Sequence, residues 1–129
     1  MLKYFTSSII LVMLLSGYNL VAAETMSADA AISSMAKIMR GLNHYPGNED
    51  KKVLKNILQN LPDNSHAHTL AAAIMHLEHT VASEDAPKLK AIIDDTSASK
   101  NEQALARIIL NLNHKPGAED KKHLEMMMH

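Results

Sequence analysis

Three histidines could carry metal-binding chemistry, because each is followed five and six residues later by a glutamate and an aspartate. The sets are His44 with Glu49 and Asp50, His79 with Glu84 and Asp85, and His114 with Glu119 and Asp120. Imidazole nitrogen beside carboxylate oxygen suits borderline divalent ions such as Zn, Ni or Cu. His76 stands three residues before His79, a spacing that puts two imidazoles on one face of a helix and allows them to chelate together. Eight histidines in 129 residues is generous for such a role. Met126-Met127-Met128-His129 would add soft thioether ligands for Cu(I), although the repeat described below reads Met127 and Met128 as core filler.

The same residues admit a purely structural role. A histidine at the end of a helix meets the negative end of its dipole, and could bond the acid that opens the next helix. The histidine–acid motif is therefore either a metal edge or a helix-capping device.

Catalysis finds no template here. The chain lacks cysteine, a Gly-x-Ser-x-Gly elbow, a phosphate-binding glycine loop and a His-Glu-x-x-His motif. We expect no enzyme and no catalytic residue. Adjacent acids such as Glu49-Asp50 are simply favourable at a helix start.

The elements that position these histidines follow from an internal repeat. Leu42-Asn43-His44-Tyr45-Pro46-Gly47-Asn48-Glu49-Asp50-Lys51-Lys52 returns 70 residues later as Leu112-Asn113-His114-Lys115-Pro116-Gly117-Ala118-Glu119-Asp120-Lys121-Lys122. A degraded copy, Leu77 to Pro87, lies midway, so the period is 35 and the units are 29–63, 64–98 and 99–129. Six positions are identical in all three units, among them Ala36/Ala71/Ala106, Leu42/Leu77/Leu112 and Leu54/Leu89/Leu124. The period is near that of tetratricopeptide units, but their Trp, Tyr and Phe are missing.

Each unit reads as two helices. Ile32, Met35, Met39 and Leu42 follow helical spacing, as do Leu70, Ile74 and Leu77, then Leu105, Ile109 and Leu112. Asp29, Asn64 and Ser99 are the expected N-caps of the first helices, and Asp50, Asp85 and Asp120 those of the second. Pro46-Gly47 and Pro116-Gly117 mark the turns. The second helix buries Leu54, Ile57 and Leu58, or Leu89, Ile92 and Ile93, or Leu124, Met127 and Met128. The spacing predicts helices near 30–44, 51–60, 65–79, 86–94, 100–114 and 121–128, with no strand. His44 would then lie about 200° around from Leu42, opposite the apolar stripe. The fold class is all-α: three tandem 35-residue helix-turn-helix repeats, as a short α-solenoid or a compact six-helix bundle.

Composition narrows the function further. Lys3, the apolar run Ile9 to Leu15 and Val21-Ala22-Ala23 read as a signal peptide over 1–23, with cleavage after Ala23. The expected mature chain, 24–129, is a single helical-repeat domain of the periplasm or the exterior, with no membrane partner once the signal is gone. Without cysteine, packing alone must stabilise it. Removing Lys3 leaves 12 basic and 14 acidic residues, and Tyr45 is the one aromatic residue after position 23. A nucleic-acid partner is excluded, since it needs a basic footprint and stacking platforms. Two functions survive: divalent-metal sequestration through histidine and carboxylate, or a protein partner held on the extended surface that stacked hairpins offer.

Overall fold

A computed structural model describes residues 26–129; the signal-peptide assignment over 1–23 lies outside the described residues. Six helices follow in order: α1 (Ala28–Arg40), α2 (Asn48–Asn60), α3 (His66–Met75), α4 (Ala86–Asp94), α5 (Lys100–Leu110) and α6 (Ala118–Met127). Among the described residues there is no strand, only three isolated bridges in the turns. None of these helices is long and apolar enough to cross a membrane.

The first helices stop earlier than their apolar spacing suggests. α1, α3 and α5 end at Arg40, Met75 and Leu110, each four residues short of the histidine of its unit. Leu42, Leu77 and Leu112 are nonetheless buried, because each amide still bonds back to the carbonyl three residues earlier, Met39, Ile74 and Ile109. The tightened last turn keeps the apolar stripe going after the regular helix has ended. The 200° placement of His44 therefore does not apply, since that residue is not helical.

Capping explains the other boundaries. Ser27 and Ser65 cap α1 and α3 in place of the expected Asp29 and Asn64, each accepting a bond from a backbone N–H three residues on. A hydroxyl in extended backbone satisfies that orphan amide without adding charge. Ser99 with Glu102 forms the expected reciprocal capping box on α5. α2 and α6 begin at Asn48 and Ala118, so Gly47 and Gly117, rather than Asp50 and Asp120, hold their N-cap positions. Asp85 does cap α4 as a backbone position, but its side chain makes no capping bond.

The helices close into a ring. α1, α3 and α5 touch one another at the centre, where Ala36, Ala71 and Ala106 are all fully buried. A methyl side chain at these equivalent places permits the close approach that a larger group would prevent. Outside them, α2 packs on α3, α4 on α5 and α6 on α1, so the second helix of each unit covers the first helix of the next. The last of these seams joins the two ends of the chain. Arg40 Nε donates to Glu125 Oε1 at 2.8 Å, and the His129 amide donates to Ser33 Oγ at 3.0 Å. Of the two arrangements the repeat allowed, this is the compact six-helix bundle. Leu54, Leu89 and Leu124 are fully buried between the layers, and Met127 fills core space beside them.

Candidate metal centre

The turn after each first helix is built around a strained histidine. His44, His79 and His114 have φ of 76°, 69° and 66°. In two of them the following amide folds back on the preceding carbonyl, Thr80 to Glu78 at 2.7 Å and Lys115 to Asn113 at 2.8 Å. This is the positive-φ γ-turn, a rare and strained conformation. Glycine or asparagine is the ordinary occupant of positive φ, and a residue with a β-carbon pays for being there. Histidine holds the place three times.

A cyclic set of backbone bonds fixes the three turns together. The His44 amide donates to His114 O at 2.8 Å, the His79 amide to His44 O at 2.7 Å, and the His114 amide to His79 O at 2.7 Å. Strain of this kind persists only where the surroundings over-determine it, and the closed ring of helices and the closed ring of bonds do so.

The consequence is that three side chains from positions 35 residues apart meet at one point. Nδ1 of His44 lies 3.1 Å from that of His79 and 3.2 Å from that of His114, and the last two are 3.0 Å apart. The ring centroids stand 4.9–5.2 Å apart at steep interplanar angles. The three Nδ1 atoms thus sit nearer the common centre than their rings do. His44 is half-buried; His79 and His114 are exposed.

No distribution of protons satisfies this cluster. A neutral imidazole nitrogen is either a donor or an acceptor, never both. With three nitrogens in mutual contact, at least one pair must set lone pair against lone pair or proton against proton. A cation at the centre would satisfy all three contacts at once.

The acids of the expected motif are placed elsewhere. Glu49 pairs with Lys52, and Asp50 accepts from the Gly47 amide at 3.2 Å. Glu119 lies 3.7 Å from Lys122, and Asp120 is half-buried at the start of α6. None of these four joins a group of metal-ligand atoms, so the expected pairing of each histidine with its following acid does not form in units one and three. In unit two it forms with a different histidine: His76 Nδ1 lies 2.8 Å from Asp85 Oδ2, with Glu84 alongside. His76 and His79 accordingly belong to separate clusters and do not chelate together, because α3 ends at Met75, before either of them.

One contact had no signal in the sequence. His66 Nε2 lies 2.9 Å from Asp95 Oδ2, tying α3 to the loop after α4. The Asp95 carboxyl is held below its ordinary range, chiefly by the Ser97 hydroxyl and amide and then by His66. The mutual approach of His44, His79 and His114 was legible only as a shared edge of three equivalent turns.

No protein-family model, curated protein or solved structure matches this chain.

Proposed function

We propose that this protein is an exported divalent-metal binder, sequestering a borderline ion such as Zn, Ni or Cu rather than catalysing a reaction. The ion is held by Nδ1 of His44, His79 and His114. The observation that carries this reading is the triangle of nitrogens with edges of 3.0–3.2 Å. A tetrahedral ion with metal–nitrogen bonds of about 2.05 Å needs nitrogen–nitrogen edges of roughly 3.3 Å. Each nitrogen must then move outward by only about 0.1 Å, and the ion sits about 0.7 Å out of their plane.

Three clustered nitrogens that cannot all satisfy one another cost stability, and an ion would convert their contacts into three bonds. Three backbone bonds hold the ligands in place before the ion arrives, which reduces the ordering cost of binding. Among the described residues no fourth histidine or carboxylate joins the group, so the remaining coordination position is left to solvent or to an outside ligand. A leader on 1–23 would deliver the protein to the periplasm or the exterior.

Titration calorimetry and thermal melting with Zn, Ni and Cu test the proposal. A saturating ion at a hundredfold excess over Kd should stabilise the fold by about 2.7 kcal/mol. His114→Ala should remove that gain. Absence of both heat and stabilisation with all three ions would overturn the metal reading and leave a helical module for a protein partner.

A further inference from the structure

We propose a second, chemically harder cation site on unit two, formed by His76, Glu84 and Asp85 and separate from the histidine triangle. One ligand atom from each of these residues lies within 4.8 Å of the others.

The site exists because unit two departs from its sister units at two linked places. Where units one and three have Gly41 and Asn111 as the residue closing the first helix, unit two has His76. Where they have Pro46-Gly47 and Pro116-Gly117, it has Val81-Ala82. The second change releases the aspartate. In unit one the Asp50 carboxylate is occupied by the Gly47 amide. In unit two the Ala82 carbonyl takes the amides of Asp85 and Ala86 instead, and the Asp85 side chain makes no capping bond. It turns to His76, the residue that the first change supplies.

Charge is the independent observation. The Asp85 side chain is 97 % buried, whereas His76 is half-exposed. The lysine beside it, Lys88, has its Nζ 3.8 Å from Oδ1 and is mostly exposed. A buried carboxylate costs several kcal/mol unless its charge is compensated. The adjacent Glu84 carboxylate adds to the negative charge there, and a divalent cation would compensate both carboxylates at once.

The donor set is one nitrogen and two carboxylates, against three nitrogens in the triangle. Carboxylate oxygen moves the preference toward Mn as well as Zn, while imidazole alone favours Zn, Ni and Cu. A groove of about 700 Å³ is lined by His76 and Glu84 and also by His79, so it touches residues of both clusters.

Equilibrium dialysis of the full chain with Zn²⁺ tests the inference, with loss of the free Mn²⁺ resonance signal as a second readout. The expected result is two Zn²⁺ per chain, falling to one in His76→Asn and to one in His114→Ala. Asparagine is the residue at the same helix end in unit three, so this substitution preserves the fold. Mn²⁺ binding should survive His114→Ala and weaken at least tenfold in His76→Asn and in the exposed variant Glu84→Gln. One Zn²⁺ per chain that His76→Asn leaves in place, with Mn²⁺ binding unaffected, would overturn the second site and leave the triangle standing. One Zn²⁺ that only His76→Asn removes would support the second site and overturn the triangle. No ion at all overturns both.

Discussion

Replacing His114 by glycine separates a histidine kept for stability from one kept for its nitrogen. At φ of 66° the His114 backbone is in a region that costs a residue with a β-carbon roughly 1–2 kcal/mol. Glycine removes that cost and returns about 0.5–1 kcal/mol as extra freedom of the unfolded chain. The two backbone bonds of residue 114, its amide to His79 and its carbonyl from His44, are unchanged because glycine keeps both groups. His114→Gly also removes one nitrogen from a cluster with no satisfactory proton arrangement. Without metal, the variant should therefore be as stable as the parent or more stable by about 0.5–1 kcal/mol, a rise in Tm of a few degrees. With saturating Zn²⁺ the order should reverse, since only the parent gains the triangle's share of stabilisation, about 2.7 kcal/mol at a hundredfold excess over Kd. Melting followed by circular dichroism, with chelator and with Zn²⁺, measures both arms. A loss of more than 1 kcal/mol in chelator would refute this reasoning and make the histidine a structural cap.

Packing and capping give further tests. Ala71→Leu should cost about 1–3 kcal/mol or more in denaturant melts, because the added carbons must enter the fully buried contact among α1, α3 and α5. Ser99→Ala should cost about 1 kcal/mol through loss of the bond to the Glu102 amide. For Asp95 the folded carboxyl titrates below its unfolded value of 3.8, so its stabilisation is complete above that value and is lost as pH falls through the folded one. The difference in melting temperature between the parent and Asp95→Asn should hold at pH 5 to 7 and close below pH 3.8.

Much of this was legible in the sequence, and the exceptions share a cause. The leucines at 42, 77, 112, 54, 89 and 124 are buried as their spacing implies, and the all-helical class follows from the same pattern. Apolar periodicity reports which face is buried, not whether the backbone is still helical. Leu42 keeps its place on the stripe although α1 ends at Arg40. Positive φ at histidine has no sequence marker, since glycine and asparagine normally announce that conformation. The histidines were therefore legible as a recurring group but not as a convergent one. Closure is also a tertiary matter: nothing near Ser33 signals its contact with His129. The His76–Asp85 contact spans the turn of a single unit, yet it depends on the loss of a Pro-Gly pair rather than on a motif that is present.

Of the three equivalent seams between units, one is not spanned by the chain. Units one and two, and units two and three, are tethered by short loops, whereas unit three meets unit one through contacts as distant as Ser33 and His129, 96 positions apart. Joining ends so far apart carries the largest loop-closure entropy of the three seams, so this seam is expected to open most readily. The His44 amide bond to the His114 carbonyl crosses it. Every opening of the seam therefore pulls one vertex out of the nitrogen triangle, and whatever holds the triangle together also holds the bundle shut. Were an ion held by the triangle, its affinity and the closure between Ser33 and His129 would be coupled through one free energy, each changing when the other is altered.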